Sequence, residues 1–282
     1  ITSGDISGGI ISRSGVNGEV FVWHDILYEG PREPGWPDEK TMEARSSFLG
    51  RTTGGGLDRK LVMDTMRKQY GRLENLSGYD KIILWFDACL FDQAMLCHVL
   101  NCLNLVQAGG KTELICVDSF PGILPYNGLG QLSPEQAFSV YGTRQKVSAE
   151  EFSFASRVDR AFAIQDMEEF SRLARMEKAP IPWVPDAVRR WLEEQPDSSG
   201  LGKLQRLAIQ AVKNGKKHPS DILKEVASKD TPPRYWGDTT LWSKINSLAE
   251  KTPPLVSIKG PADRLPQWTT SFGMDEFSIF PS

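Results

Sequence analysis

The chain has 282 residues, 40% of them hydrophobic, and a formal net charge of −3 at pH 7. That length is enough to bury two cores, and the longest apolar runs are strand-sized and hold Asp or Asn, which excludes a membrane span within them. The charge is unevenly spread: residues 1–199 hold 21 Lys and Arg against 28 Asp and Glu, whereas residues 200–264 hold 12 against 6. This shift predicts a domain boundary near residue 200 and makes the C-terminal part a candidate for an acidic partner. The first residues, ITSGDISGG, lack the basic start of a secretion signal. Cys89, Cys97, Cys102 and Cys116 form no CxxC pair and lie in or beside apolar runs. They read as reduced, buried thiols, which predicts a cytoplasmic protein.

A strand at 1–4 leads into a helix over 6–14, closed by Gly15, and EVFVWH (19–24) reads as a second strand. Asp38 caps a helix running to Leu49, TTGGG breaks the chain, and Leu57–Leu73 carries apolar residues at helical spacing. KIILWF (81–86) is a third strand, residues 90–106 a helix, and ELICV (113–117) a fourth strand. Apolar strands alternating with helices predict a Rossmann-like, mainly parallel open sheet with flanking helices.

The Pro/Gly-rich SFPGILPYNGLGQLS is longer than a connection needs, which marks it as a functional loop. SPEQ (133–136) and SAEE (148–151) are helix starts of the capping-box kind, and 149–176 is helical with a break near Gln165. APIPWVP is a linker and 186–195 a short helix. Beyond Gly200 come three helices, around 204–211, 219–227 and 239–249, then the strands LVSIKG and FSIF, which is the order of a winged helix. The predicted domains are therefore an α/β domain at 1–132, a helical extension and linker at 133–199, and a winged-helix-like α+β domain at 200–282.

Each predicted strand of the first domain ends on an acid: Asp5, Asp25, Asp87 and Asp118. In an open parallel sheet these ends share the edge where ligands bind. Carboxylates gathered there, with Glu29 and Asp92 close behind, suit a divalent metal, sugar hydroxyls, or acid–base chemistry. The competing reading is that each Asp caps the helix that follows it. The loop GDISGG sets Gly4, Ser7 and Gly8 between strand and helix, where backbone N–H groups can meet an anion; a tight turn with a serine cap explains the same residues. VFVWHD and IILWFD are so alike that they read as two neighbouring parallel strands. Trp23 and Trp85 then wall a pocket or pack in the core.

GDISGGI, VWHDILYEGP, LWFDACLFDQ, FPGILPYNGLGQLSPEQ and WGDTTLWSKINSLA, in that order, span nearly the whole chain. They resemble the bacterial family called domain of unknown function 1835, with its usual C-terminal companion region. The resemblance matches Asp5, Asp25, Glu29, Gly30, Pro31, Asp92, Gln93, Gly128, Gly130 and Gln131 to family motif positions. It carries over no activity. Where family members tend to read W-F-E-H-D-L-F-D-Q, this chain has WFDACLFDQ, so Asp87, Ala88 and Cys89 depart from the pattern while Asp92 and Gln93 keep it.

The leading expectation is an α/β enzyme or ligand-binding protein for a phosphorylated, nucleotide-like or sugar-like small molecule. In it Asp25 and Asp92 are the acid–base or metal-binding carboxylates, while Asp5, Ser7, Gly8, Glu29, Gln93 and Gln131 bind the ligand, and the cofactor is open apart from a divalent metal ion. The alternative is a regulator that binds nucleic acid through residues 200–264, with the third helix offering Lys244 and Asn246 and the α/β domain as sensor. A third is a protein-interaction scaffold.

Overall fold

The computed structural model describes residues 1–52, 57–268 and 272–282. Most of TTGGG, read as a chain break, lies outside them. In chain order the elements are β1 (Thr2–Ser3), α1 (Asp5–Arg13), β2 (Val22–Trp23), α2 (Glu39–Arg51), α3 (Arg59–Glu74), β3 (Ile82–Asp87), α4 (Leu90–Leu105), β4 (Thr112–Val117), α5 (Pro134–Val140), β5 (Gln145–Lys146), α6 (Ala149–Ile164), α7 (Met167–Leu173), α8 (Val184–Glu193), α9 (Lys203–Lys213), α10 (Pro219–Lys229), α11 (Asp238–Ala249), β6 (Val256–Lys259) and β7 (Ser278–Pro281). They form two compact units, one of residues 1–45 and 63–190, the other of residues 46–62 and 191–282.

The first unit is the Rossmann-like α/β fold. Its five-stranded sheet runs in the order β2-β1-β3-β4-β5, parallel throughout except for the antiparallel edge strand β5. The two similar strands are thus not neighbours, because β1 lies between them. Nor do their tryptophans share a face. Thr2 is opposite both Val22 and Trp85, while Ser3 is opposite Trp23. Facing partners point the same way and successive residues point opposite ways, so Trp85 lies on one face of the sheet and Trp23 on the other. The likeness of the two phrases reflects a shared local need, an apolar strand closing on an acid, and not adjacency.

On the first face Trp85, Ile115 and Val117 pack with Ile11 of α1 and with Tyr126, Leu129 and Leu132 of the loop after β4. Gly8 lets α1 lie close on the sheet, since a Cβ there would fall 2.4 Å from Val22 Cγ2. On the second face Trp23 meets Tyr70 and His98 edge-on, with ring centroids 5.2 and 6.0 Å away. Helix α4 touches both β3 and α6, and every residue from Asp92 to Leu103 is buried. A helix covered on all sides needs no polar stripe, and its buried polar side chains Asp92, Gln93, His98 and Asn101 each find a hydrogen-bond partner inside the unit.

Local signals fix the helix ends. The Ser133 and Gln136 side chains cap each other's backbone N–H, as do those of Ser148 and Glu151. Asp38 Oδ1 accepts the Thr41 N–H at 2.7 Å at the start of α2, and Gln165, at φ 54°, ends α6 in the left-handed region.

The second unit is a winged-helix-like α+β fold. Helices α9, α10 and α11 precede the antiparallel hairpin β6–β7, in which Ile258 faces Ile279 and Lys259 faces Ser278. Leu204, Ile222, Val226, Leu241, Leu248 and Phe277 are fully buried in it. No helix among the described residues is long and apolar enough to cross a membrane.

Candidate functional site

The C-terminal ends of β1, β2 and β3 converge on one edge, and the acids predicted there fall into three separate environments. The deepest holds Asp87 and Asp92. Asp92 sits in the first turn of α4, where its carboxylate accepts from Ser3 Oγ and from the Asp87 N–H, each at 2.6 Å. Gln93 Nε2 donates to the Asp87 carbonyl at 2.7 Å, while its Oε1 is buried with no hydrogen-bond partner. Asp87 accepts the Tyr126 hydroxyl at 2.8 Å and the Leu129 N–H at 2.8 Å, so it pins the loop after β4 to the sheet. Gly128 has φ 140°, and a Cβ there would lie 2.6 Å from Asp87 Oδ2.

Burial, then the Asp92 charge, raises the Asp87 carboxyl well above the usual range, against the bonds from Leu129 and Tyr126. Burial likewise lifts Asp92 to about 6, against the bonds from Ser3 and Asp87. Gln131 is exposed on the same loop; its Oε1 accepts the Asn127 N–H and its Nε2 donates to the Pro125 carbonyl at 3.3 Å.

The second environment faces solvent. Asp5 opens α1, and its Oδ1 lies 2.8 Å from Nε2 of His24, the residue after β2; the side chains are 84% and 46% exposed. The His24 N–H donates to Gln69 Oε1 at 2.6 Å, which fixes the backbone there. Gly4, at φ 69°, supplies the left-handed turn between β1 and α1 that an L side chain resists. Ser7 and Gly8 are buried in the first turn of α1. The partner of His24, Asp5, stands 19 residues away in the chain, beside another strand, so nothing local to His24 announces it.

The third environment is a buried ion pair. Asp25 accepts from Arg45 Nε at 2.8 and 3.0 Å and from Arg45 Nη2 at 2.7 Å. Arg45 also donates to the carbonyls of Ile26, Glu29 and Pro31, tying down the loop that carries half-buried Glu29. Asp118, on the far side of the edge, accepts from Trp183 Nε1 at 3.0 Å.

A polar cluster under the second face escaped the sequence reading. Asp159 of α6, fully buried, accepts from Arg32 Nη1 at 2.6 Å, Asn101 Nδ2 at 2.7 Å and the Gly35 N–H at 2.6 Å. His98 Nδ1 lies 3.0 Å from the same carboxylate, and Nε2 lies 2.8 Å from the Tyr70 hydroxyl. Burial opposes the charge on His98, but Cys102, Tyr70 and Asp159 outweigh it and raise the imidazole well above its ordinary pKa. Burial alone would raise Asp159; His98 and Arg32 reverse this and hold it below the usual carboxylate range. One signal was available: Asp159 stands three residues before Phe162 and seven after Phe152, on the apolar stripe of α6, where a lone charge demands a partner.

Among the described residues no three His, Cys, Asp or Glu side chains come together as metal ligands. A cavity of about 420 Å³ opens at the opposite, N-terminal edge of the strands, lined by Thr2, Ile11, Val20, Tyr79, Ile83 and Trp85 among others.

Fold and edge together define a Rossmann-like α/β protein with acidic residues near its strand ends and a winged-helix-like C-terminal unit. Compared with models of known protein families the chain matches none, and no curated protein matches it.

Proposed function

We propose that the chain is an α/β enzyme or ligand-binding protein for a phosphorylated, nucleotide-like or sugar-like small molecule, bound at the C-terminal edge of the parallel strands. The observation that carries this reading is the His24–Asp5 pair. It sets an imidazole, oriented by a carboxylate, in the open at the ends of two adjacent strands. In this reading His24 moves the proton and the first N–H groups of α1 meet the anionic part of the ligand. Asp92, through Ser3, holds the β1 end in place beneath them, and Asp25 fixes the neighbouring loop. Gln93 ties α4 to the end of β3, Gln131 keeps the loop after β4 in register, and Glu29 lines the rim. In this reading the chain belongs with the domain of unknown function 1835 family, which its five motifs support.

The test is a thermal-shift screen of nucleotides and sugar phosphates on the wild type and on His24→Gln and Asp5→Asn. A ligand at 100 times its Kd stabilises by about 2.7 kcal/mol. The wild type should show this shift and both variants should lose it, while their unliganded melting temperatures stay within a degree or two of the wild type. No shift with any compound, or a shift retained in both variants, overturns the reading.

A further inference from the structure

The basic C-terminal unit carries a surface that the α/β site does not use. Helix α11, the reader expected from a winged helix, is turned inward. Asn246 is 1% exposed, its Nδ2 donates to the Leu265 carbonyl at 3.0 Å, and its Oδ1 accepts the Leu265 N–H at 2.7 Å. Ser247 accepts from Gln205 Nε2 at 2.9 Å. These side chains are occupied within the unit and cannot read base edges.

The hairpin is different. Its pairing register places Ser257, Lys259, Ser278 and Phe280 on one face and Val256, Ile258 and Ile279 on the other. Val256 and Ile279 are buried, so the first face is the outer one. The Ile279 N–H donates to the Lys217 carbonyl at 2.8 Å, which joins β7 to the turn between α9 and α10. Lys213, Lys216 and Lys217 flank that turn. The Lys259 and Lys217 ammonium groups lie 5.0 and 5.4 Å from the centre of the Phe280 ring. Lys213, Lys217 and Lys259 are exposed. Among the described residues none of these three makes an ion pair. Glu225 of α10 is engaged by Lys229 at 2.6 Å and Asn214 at 3.2 Å.

We infer that this outer face of β6–β7, with the α9–α10 turn, binds single-stranded nucleic acid. Unpaired ammonium groups and serine hydroxyls suit phosphate oxygens, and an aromatic ring among them gives a base a surface to stack on. An inward-turned α11 disfavours groove reading of a duplex. The interaction is therefore independent of sequence and strongly dependent on salt.

The test measures fluorescence anisotropy of labelled oligothymidylate with the full chain across a salt series. Lys217→Ala/Lys259→Ala should flatten the plot of log affinity against log salt by about 1.4, at ~0.7 for each single-strand phosphate that the variant no longer neutralises. Phe280→Leu should weaken binding by about fivefold or more with the slope unchanged. Both variants alter the outer face only, and matching circular dichroism and melting curves verify that they fold. No binding at low salt overturns the inference. So does wild-type affinity in the double-lysine variant, a duplex bound as tightly as the single strand with Phe280→Leu silent, or tighter capture of an acidic peptide by the same lysines.

Discussion

Asp92 accepts the backbone N–H of Asp87 at 2.6 Å, so two buried carboxyls occupy one corner of the sheet edge and ionise as a pair. Both are raised, so the folded protein binds protons there more readily than the unfolded chain does. Their ionisation is therefore a penalty, absent below pH 3.8 and fully developed once pH has passed the raised values; for Asp92 that window closes near 6. Its size for Asp92 is on the order of 3 kcal/mol. We expect Asp92→Asn to reduce the fall in unfolding free energy between pH 4 and 6.5, measured by urea denaturation. An unchanged pH slope would contradict the pairing.

The loop after β4 depends on a glycine beneath it. At Gly128→Ala the new Cβ meets Asp87 Oδ2 at 2.6 Å and the residue must hold φ 140°. A loss of about 1–3 kcal/mol is expected, together with faster hydrogen exchange of the Leu129 amide, whose acceptor is Asp87. Wild-type exchange at Leu129 would show that the loop is held by other means.

Asp25 and Arg45 are a buried pair, so removing one partner strands the other. Asp25→Ala should lower stability by about 3–5 kcal/mol. Asp25→Ala/Arg45→Met should recover part of that loss, because no charge is then left uncompensated. Equal stability of Asp25→Ala and the wild type would remove Asp25 from the structural network.

In the His98–Asp159 cluster the two shifts have opposite signs. The raised pKa of His98 gives stability that is complete below pH 6.5 and lost as pH climbs through the folded value. The lowered pKa of Asp159 gives stability present above pH 3.8 and lost as pH falls towards the folded value. The cluster therefore favours the fold between those limits. Nitrogen NMR over a pH series should place the His98 titration above that of an ordinary imidazole, and Asp159→Asn should bring it down. A His98 titration at or below the ordinary imidazole value would refute the assignment.

Local chemistry was readable from the sequence wherever neighbours in the chain decide the outcome. The strands at 82–87 and 112–117, the caps at Ser133 and Ser148, the break at Gln165 and the three helices before the hairpin all follow from periodicity, capping and turn residues within a few positions of one another. So does the placing of Asp5, Asp25 and Asp87 at strand ends. Tertiary structure decided which residues meet. Nothing local says that β1 enters between β2 and β3, yet that choice puts Trp23 and Trp85 on opposite faces. It also brings Ser3 to Asp92, 89 residues away, and His24 to Asp5. Arg32 and Asp159 are 127 residues apart in the chain, and only the fold joins them. An aspartate's sequence neighbours show that it can cap, pair or face solvent. Burial and the charges that the fold sets beside it determine which of these it does, and so divide four similar strand-end acids into a buried carboxyl raised by a neighbour's charge, an ion-pair partner, a tryptophan's acceptor and a solvent-facing partner of histidine.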